Sequence, residues 1–156
     1  MKKVIIGILI AVVAIIAVYF LLPENVKNIV DYYKMQVFEK DQYAEITKIQ
    51  NTKVLGQDAV TYAEAVSKTV SHEYWTYEDG TSSSGEAIKT ITANGDNVNL
   101  SLGDSGDAGV YNDVALRMVF TLDSKGGYNL EAYIDGSLLS KADRDRLLTA
   151  MCKLVK

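Results

Sequence analysis

His72 is the only histidine in the chain, and so the only side chain whose ordinary pKa lies near neutrality. Work as a general base would require a carboxylate or nucleophile within reach. Glu73 is next in sequence, but on a strand it points to the opposite face. No Ser, Cys or Asp at strand spacing supplies a partner, so His72 reads as a surface residue. Cys152 is the only cysteine, which rules out an intramolecular disulfide. It falls near the end of a helix, whose negative pole disfavours a thiolate. It therefore reads as a small packed residue, with an intermolecular disulfide as the alternative in an oxidising compartment. One His and one Cys are too few for a Cys/His zinc site.

Two further groups could recognise a ligand. The loop Gly103–Gly109 reads GDSGDAG, and Asp104, Asp107 and the nearby Asp96 and Asp113 could offer oxygens to Ca²⁺. The loop lacks the alternate-position acids and distal Glu of a calcium loop, so it reads as a solvated acidic loop. Tyr74, Trp75 and Tyr77 could form an aromatic platform for a sugar or peptide. Alternation puts Trp75 and Tyr77 on one face, where they equally suit a core, and Tyr74 on the other. Tyr74, Trp75, Tyr77, Asp104 and Asp107 are thus the candidate binding surface. Asn99-Leu100-Ser101 is a glycosylation sequon, relevant only in a eukaryotic secretory route. There is no phosphate loop, Ser-His-Asp set, metal pair or dinucleotide fingerprint, so no catalytic residue, metal ligand or cofactor is expected.

The elements that must position these residues follow from periodicity. Val26, Ile29, Val30, Tyr33 and Val37 form a helical stripe over about 24–39, with Pro23 suited to open the helix. Residues 41–60 read as a short strand or a continuation of that helix, ending at a turn near Gly56. Thr61 and Glu64 match a capping box at the start of a helix over 62–70. A meander follows. Residues 72–79 form an aromatic strand. Residues 87–93 and 97–102 form two strands joined across Asn94-Gly95-Asp96, a strong hairpin signal. Val114, Leu116, Met118, Phe120 and Leu122 alternate with polar residues along a half-buried strand. Leu130, Ala132 and Ile134 mark the last one. Ser137 or Ser140 caps a final helix with Leu147, Leu148, Met151, Leu154 and Val155 on its packing face. The sum is an α+β domain of two layers, about four antiparallel strands packed with helices.

Ahead of it lie nineteen apolar residues, Val4–Leu22. As a helix they are about 28 Å long, close to a hydrocarbon core of about 30 Å. No small-residue cleavage site ends the run, so it reads as a retained transmembrane anchor, with Gly7 and Ala11 spaced for close helix approach. Lys2 and Lys3 precede the run and Glu24 follows it. The positive-inside rule therefore places the N-terminus in the cytoplasm and the domain outside. The organisation expected is an anchor at 1–23, a membrane-proximal helix and connector at 24–58, and an extracytoplasmic domain at 59–156. Beyond Pro23 there are 14 bases and 20 acids, a net charge of −6. Nucleic acid is accordingly not an expected partner.

Two resemblances bear on function. An apolar helix, a proline, an amphipathic helix and a small sheet resemble the outline of type IV pilin-like filament subunits. Those are cut after a Gly and carry Glu at the fifth mature position, whereas here the only Gly in the run is Gly7 and the fifth residue after it is Val12. Separately, VTYAEAVSKTVSHEYWTYEDG, then MVFTLD, a Gly turn, NLEAYIDG and a last helix resemble small domains of unknown function on secreted or membrane-anchored bacterial proteins, from Ala59 to the end. That resemblance implies an α+β fold and an envelope location. The function expected is a non-enzymatic, membrane-anchored binding or assembly domain of the cell envelope, with a protein partner or self-association. The alternative is a structural subunit of a surface filament or secretion apparatus.

Overall fold

The computed structural model describes residues 17–102 and 110–155. Three helices come first: α1 Glu24–Phe38, α2 Lys40–Gln50 and α3 Tyr62–Thr69. The strands β1 Ser71–Thr81, β2 Ala87–Ser101, β3 Val110–Leu122, β4 Tyr128–Ile134 and β5 Ser137–Leu138 follow, and α4 Lys141–Lys153 closes the chain. The strands form one antiparallel sheet in the order β1-β2-β3-β4-β5. The expected α+β class is what the structure shows, with β5 added as a short fifth strand. Residues 1–16 of the anchor segment fall outside the described residues, as do Asp104 and Asp107. Among the described residues no helix is long and apolar enough to cross a membrane.

One face of the sheet carries the core. Trp75, Ala93, Met118 and Ala132 form one buried row across β1–β4, and Ile91, Phe120 and Leu130 continue the next. Against them pack Ile46 and Ile49 of α2, Tyr62, Ala65 and Val66 of α3, and Leu147, Leu148 and Met151 of α4. An aromatic knot sits at the centre. Phe120 meets Tyr62 edge-on at 4.8 Å and stacks with Trp75 at 6.1 Å. Such pairs add to the burial gain of the rings themselves. Burial pushes the Tyr62 hydroxyl's pKa far up, and that hydroxyl is satisfied by Tyr128 at 3.2 Å.

The local signals explain the helix ends. Thr61 and Glu64 form the expected capping box: the Thr61 hydroxyl accepts the Glu64 N–H, and the Glu64 carboxylate accepts the Thr61 N–H. Ser140 caps α4 by accepting the Asp143 N–H. Arg144, near the start of α4, donates to the Leu130 carbonyl at 2.7 Å. It thereby closes off part of the outer edge of β4, which would otherwise offer unpaired backbone groups.

Three points sharpen the reading from sequence. First, of the two readings open for this stretch, residues 40–50 take the helical one. Second, three members of the apolar stripe of α1 face away from the domain. Val30, Tyr33 and Val37 are 40%, 61% and 60% exposed, whereas Met35 is buried and Tyr32 packs on the core beside it. The helix is turned so that Asn28, Tyr32 and Met35 face the domain, spaced 4 and 3 residues apart as one side of a helix requires. Third, Asn94-Gly95-Asp96 is not a hairpin turn. β2 runs through it unbroken, and the sheet bends there instead.

The bend is a staircase of three bulges. Two residues of β1, His72 and Glu73, stand opposite Gly95 alone; two of β2, Asp96 and Asn97, stand opposite Ala115; two of β3, Asn112 and Asp113, stand opposite Asn99. Each step contains one left-handed residue: His72 (φ 51°), Asn97 (φ 54°) and Asp113 (φ 54°). Such an insertion reverses which residues face the core. Before the β2 bulge Ile91 and Ala93 are buried, and after it Val98 and Leu100 are. Gly95 is required by a close approach: a Cβ there would lie 2.2 Å from Val70 Cγ2 and 3.0 Å from the Ser71 carbonyl.

A candidate ligand groove at the bulged end of the sheet

The bulges gather polar side chains on the face of the sheet away from the core. Tyr74, Asn94, Arg117 and Tyr133 form one cross-strand row in register. Beside it, His72 Nδ1 donates to Asp96 Oδ1 at 3.0 Å. A carboxylate only accepts, so this bond fixes the proton on Nδ1 and leaves Nε2 of a neutral imidazole as an acceptor. The Arg117 guanidinium carbon sits over the Tyr133 ring, 4.2 Å from its centre, and Tyr133 donates its hydroxyl to Glu131. His72, Tyr74, Asn94, Asp96 and Arg117 line an open groove of about 400 Å³ with Gly95, Ala115, Leu116 and Gly136. The Tyr74 hydroxyl accepts from Asn28 Nδ2 at 3.4 Å. That bond ties the groove to the first turns of α1, a few residues beyond Pro23.

A histidine oriented by a carboxylate is half of a hydrolytic site. The groove lining includes no Ser, Thr or Cys, so the hydroxyl or thiol nucleophile of such a site is not among its lining residues. The arrangement suits recognition: a guanidinium, an amide, a phenol and an oriented imidazole spread over three strands.

The residues singled out in the sequence scatter. Tyr74 lines the groove. Trp75 is fully buried on the other face, where its indole N–H donates to Glu73 at 2.5 Å; it is core and offers nothing to a surface ligand. Tyr77 is half-buried against the same core and donates to Asp79 at 2.6 Å. Its pKa is pushed up to about 12, chiefly by burial. Cys152 is buried. Among the described residues no three side chains gather as metal ligands. Asn94 and Arg117 were not foreseen, and Asp96 was weighed only as a neighbour of the acidic loop. Asp96 and Asn94 were read as a turn, and His72 meets Asp96 only because the pairing of β1 with β2 brings together residues 24 apart.

On the helix side, Glu73 lies under α1. Burial raises its pKa above the usual carboxylate range, against the opposing effect of the Trp75 hydrogen bond. Tyr32 is pushed up to about 12, again mainly by burial, while its hydroxyl accepts from Gln50 Nε2 at 3.0 Å. The far end of β1 is different. There a second hollow of about 460 Å³ is lined by Glu45, Lys48, Lys89 and Asp79 among others. Its two lysines are paired, Lys89 with Glu45 at 2.8 Å and Lys48 with Glu45 at 3.0 Å. These two lysines hold the Glu45 carboxyl below its ordinary pKa, with Lys89 the larger influence.

No family model, no curated protein and no solved structure matches the chain.

Proposed function

We propose that this chain displays a non-enzymatic α+β binding or assembly domain on the outer face of a membrane, held there by Val4–Leu22. The observation that carries the reading is how the end of the apolar run meets the domain. Residues 17–21 are helical, with Val18, Phe20 and Leu21 exposed. Pro23 intervenes, and α1 then begins at once. The Tyr19 hydroxyl donates to Asp31 at 2.7 Å and Lys27 Nζ to the Phe20 carbonyl at 3.0 Å. With no flexible linker between run and domain, a membrane-embedded run would hold the domain, and the groove beside Asn28, close to the lipid surface. The resemblance of residues 59–156 to small domains on envelope proteins points the same way.

The test is the intact mass of the protein in the membrane fraction, followed by protease treatment of whole cells. Full-length mass with an externally digestible domain is the expected result. Release of a shortened chain into the medium would defeat the reading.

A second reading, a subunit of a surface filament or secretion apparatus, is favoured by one observation: the exposed line Val30, Tyr33 and Val37 along α1. Electron microscopy of overexpressing cells separates the two readings, since only the second produces filaments.

A further inference from the structure

The groove at the bulged end has a chemistry of its own. Arg117 is the permanent cation in its lining, and among the described residues no carboxylate lies within ion-pair distance of it. Its guanidinium centre lies 4.2 Å from the centre of the Tyr133 ring and acts on that hydroxyl too. With five N–H groups in a planar fork, it keeps donors that match the two oxygens of a carboxylate. Asn94 is the next residue in the row, so its amide stands beside the same position. On the other side of Asn94, Tyr74 offers a ring and a hydroxyl, and His72 is oriented by Asp96. The bulge keeps His72 in a left-handed conformation, unfavourable for a side chain of this kind. Backbone strain of that sort is commonly retained where it aims a functional group.

The charge balance selects the class of ligand. One guanidinium faces a groove whose wall includes Asp96, on a domain of net charge −6. A dianionic phosphate meets repulsion there that a single carboxylate largely escapes. The volume, about 400 Å³, is at the small end of ligand sites and suits an acylated amino acid or a chain end.

We propose that this groove binds a small carboxylate-bearing ligand, its carboxylate taken by Arg117 and Asn94 and its polar body by Tyr74 and His72. The site goes beyond the membrane reading and does not depend on it.

The test uses the full-length chain, ¹⁵N-labelled, in detergent micelles, titrated with N-acetylglycine, N-acetylglycinamide and methyl phosphate. N-acetylglycine is expected to give saturable amide shifts confined to His72–Tyr74, Asn94–Asp96 and Ala115–Arg117. Arg117→Gln is expected to weaken binding at least tenfold, Arg117→Lys by less, and Arg146→Gln on exposed α4 not at all. A spectrum unchanged outside the groove shows that the Arg117 variants fold, and Asn94→Ala supplies an independent loss of several-fold. The proposal is overturned if no titrant gives saturable shifts, or if the amide binds as well as the acid. It is overturned equally if methyl phosphate binds as tightly, or if Arg117→Gln binds as wild type. None of these outcomes bears on membrane topology, so the two readings fail separately.

Discussion

The two ends of the sheet are built from the same strands and do different work. At the Gly80 end β1, β2 and β3 pair without interruption from Tyr74–Thr81 through Lys89–Leu122. There the side chains alternate strictly, the core face carries Ile91 and Phe120, and both lysines of the nearby hollow pair with Glu45. At the His72 end three successive bulges interrupt the pairing, four non-glycine residues are left-handed, Asp135 among them, and polar groups are assembled around an open groove. Regular pairing gives the fold its stability. Irregular pairing re-aims side chains, which regular alternation cannot do.

The largest expected effect tests the regular end. Phe120→Ala removes the centre of the aromatic knot and should cost about 4 kcal/mol, read as a lowered denaturant midpoint. The next sets the two ends against each other. Gly95→Ala forces a methyl into Val70 and should destabilise by about 3 kcal/mol. Gly80→Ala would place its Cβ 3.4 Å from Ile88 and should change stability by no more than about 0.5 kcal/mol. Equal effects would mean that the Val70 approach does not hold the bulged end together.

The pH dependence should differ in sign between the ends. Burial raises the folded pKa of Glu73, so between its unfolded and folded values the folded state holds the extra proton. Its contribution is present at low pH and lost as pH rises through the folded value. Glu45 is the reverse: its folded pKa is lowered, so its contribution is present above its unfolded value and lost as pH falls. Glu73→Gln should therefore gain stability relative to wild type on going from about pH 4 to neutrality. Glu45→Gln should lose stability relative to wild type over the same range, by a small amount because its lysine partners are exposed. Unfolding curves at the two pH values check both signs. The smallest effect is at Asn97. Asn97→Gly relieves a left-handed residue and should be neutral or stabilising by about 0.5 kcal/mol, whereas Thr92→Gly in the regular part should cost about 1 kcal/mol.

What the sequence made legible follows the same division. The strand around Phe120 alternates cleanly and was readable, as were the capping box at Thr61 and the core face Leu130, Ala132 and Ile134. The error at Asn94-Gly95-Asp96 has a definite cause. Residues 91 and 93 share one phase with the core and 98, 100 and 102 the other, and a hairpin and a bulge both produce such a break. The Asn-Gly pair tipped the reading to a turn, while the decisive constraint, Val70 beneath Gly95, lies 25 positions away in the chain. The groove was hidden for the same reason, because His72, Asp96 and Arg117 come together only through strand pairing. In α1 the apolar stripe was real, but a helix with apolar residues on two sides does not announce which side the domain takes.

The most direct test of the account is the position of the domain relative to a membrane. Cys152 is 1% exposed, so Ser83→Cys, in the exposed turn between β1 and β2, would be the reactive thiol of the folded chain. The account predicts that a membrane-impermeant maleimide added to intact cells labels this variant, and that the labelled protein sediments with the membranes at full length. Labelling only after the cells are broken open would place the domain on the inner side and contradict the account.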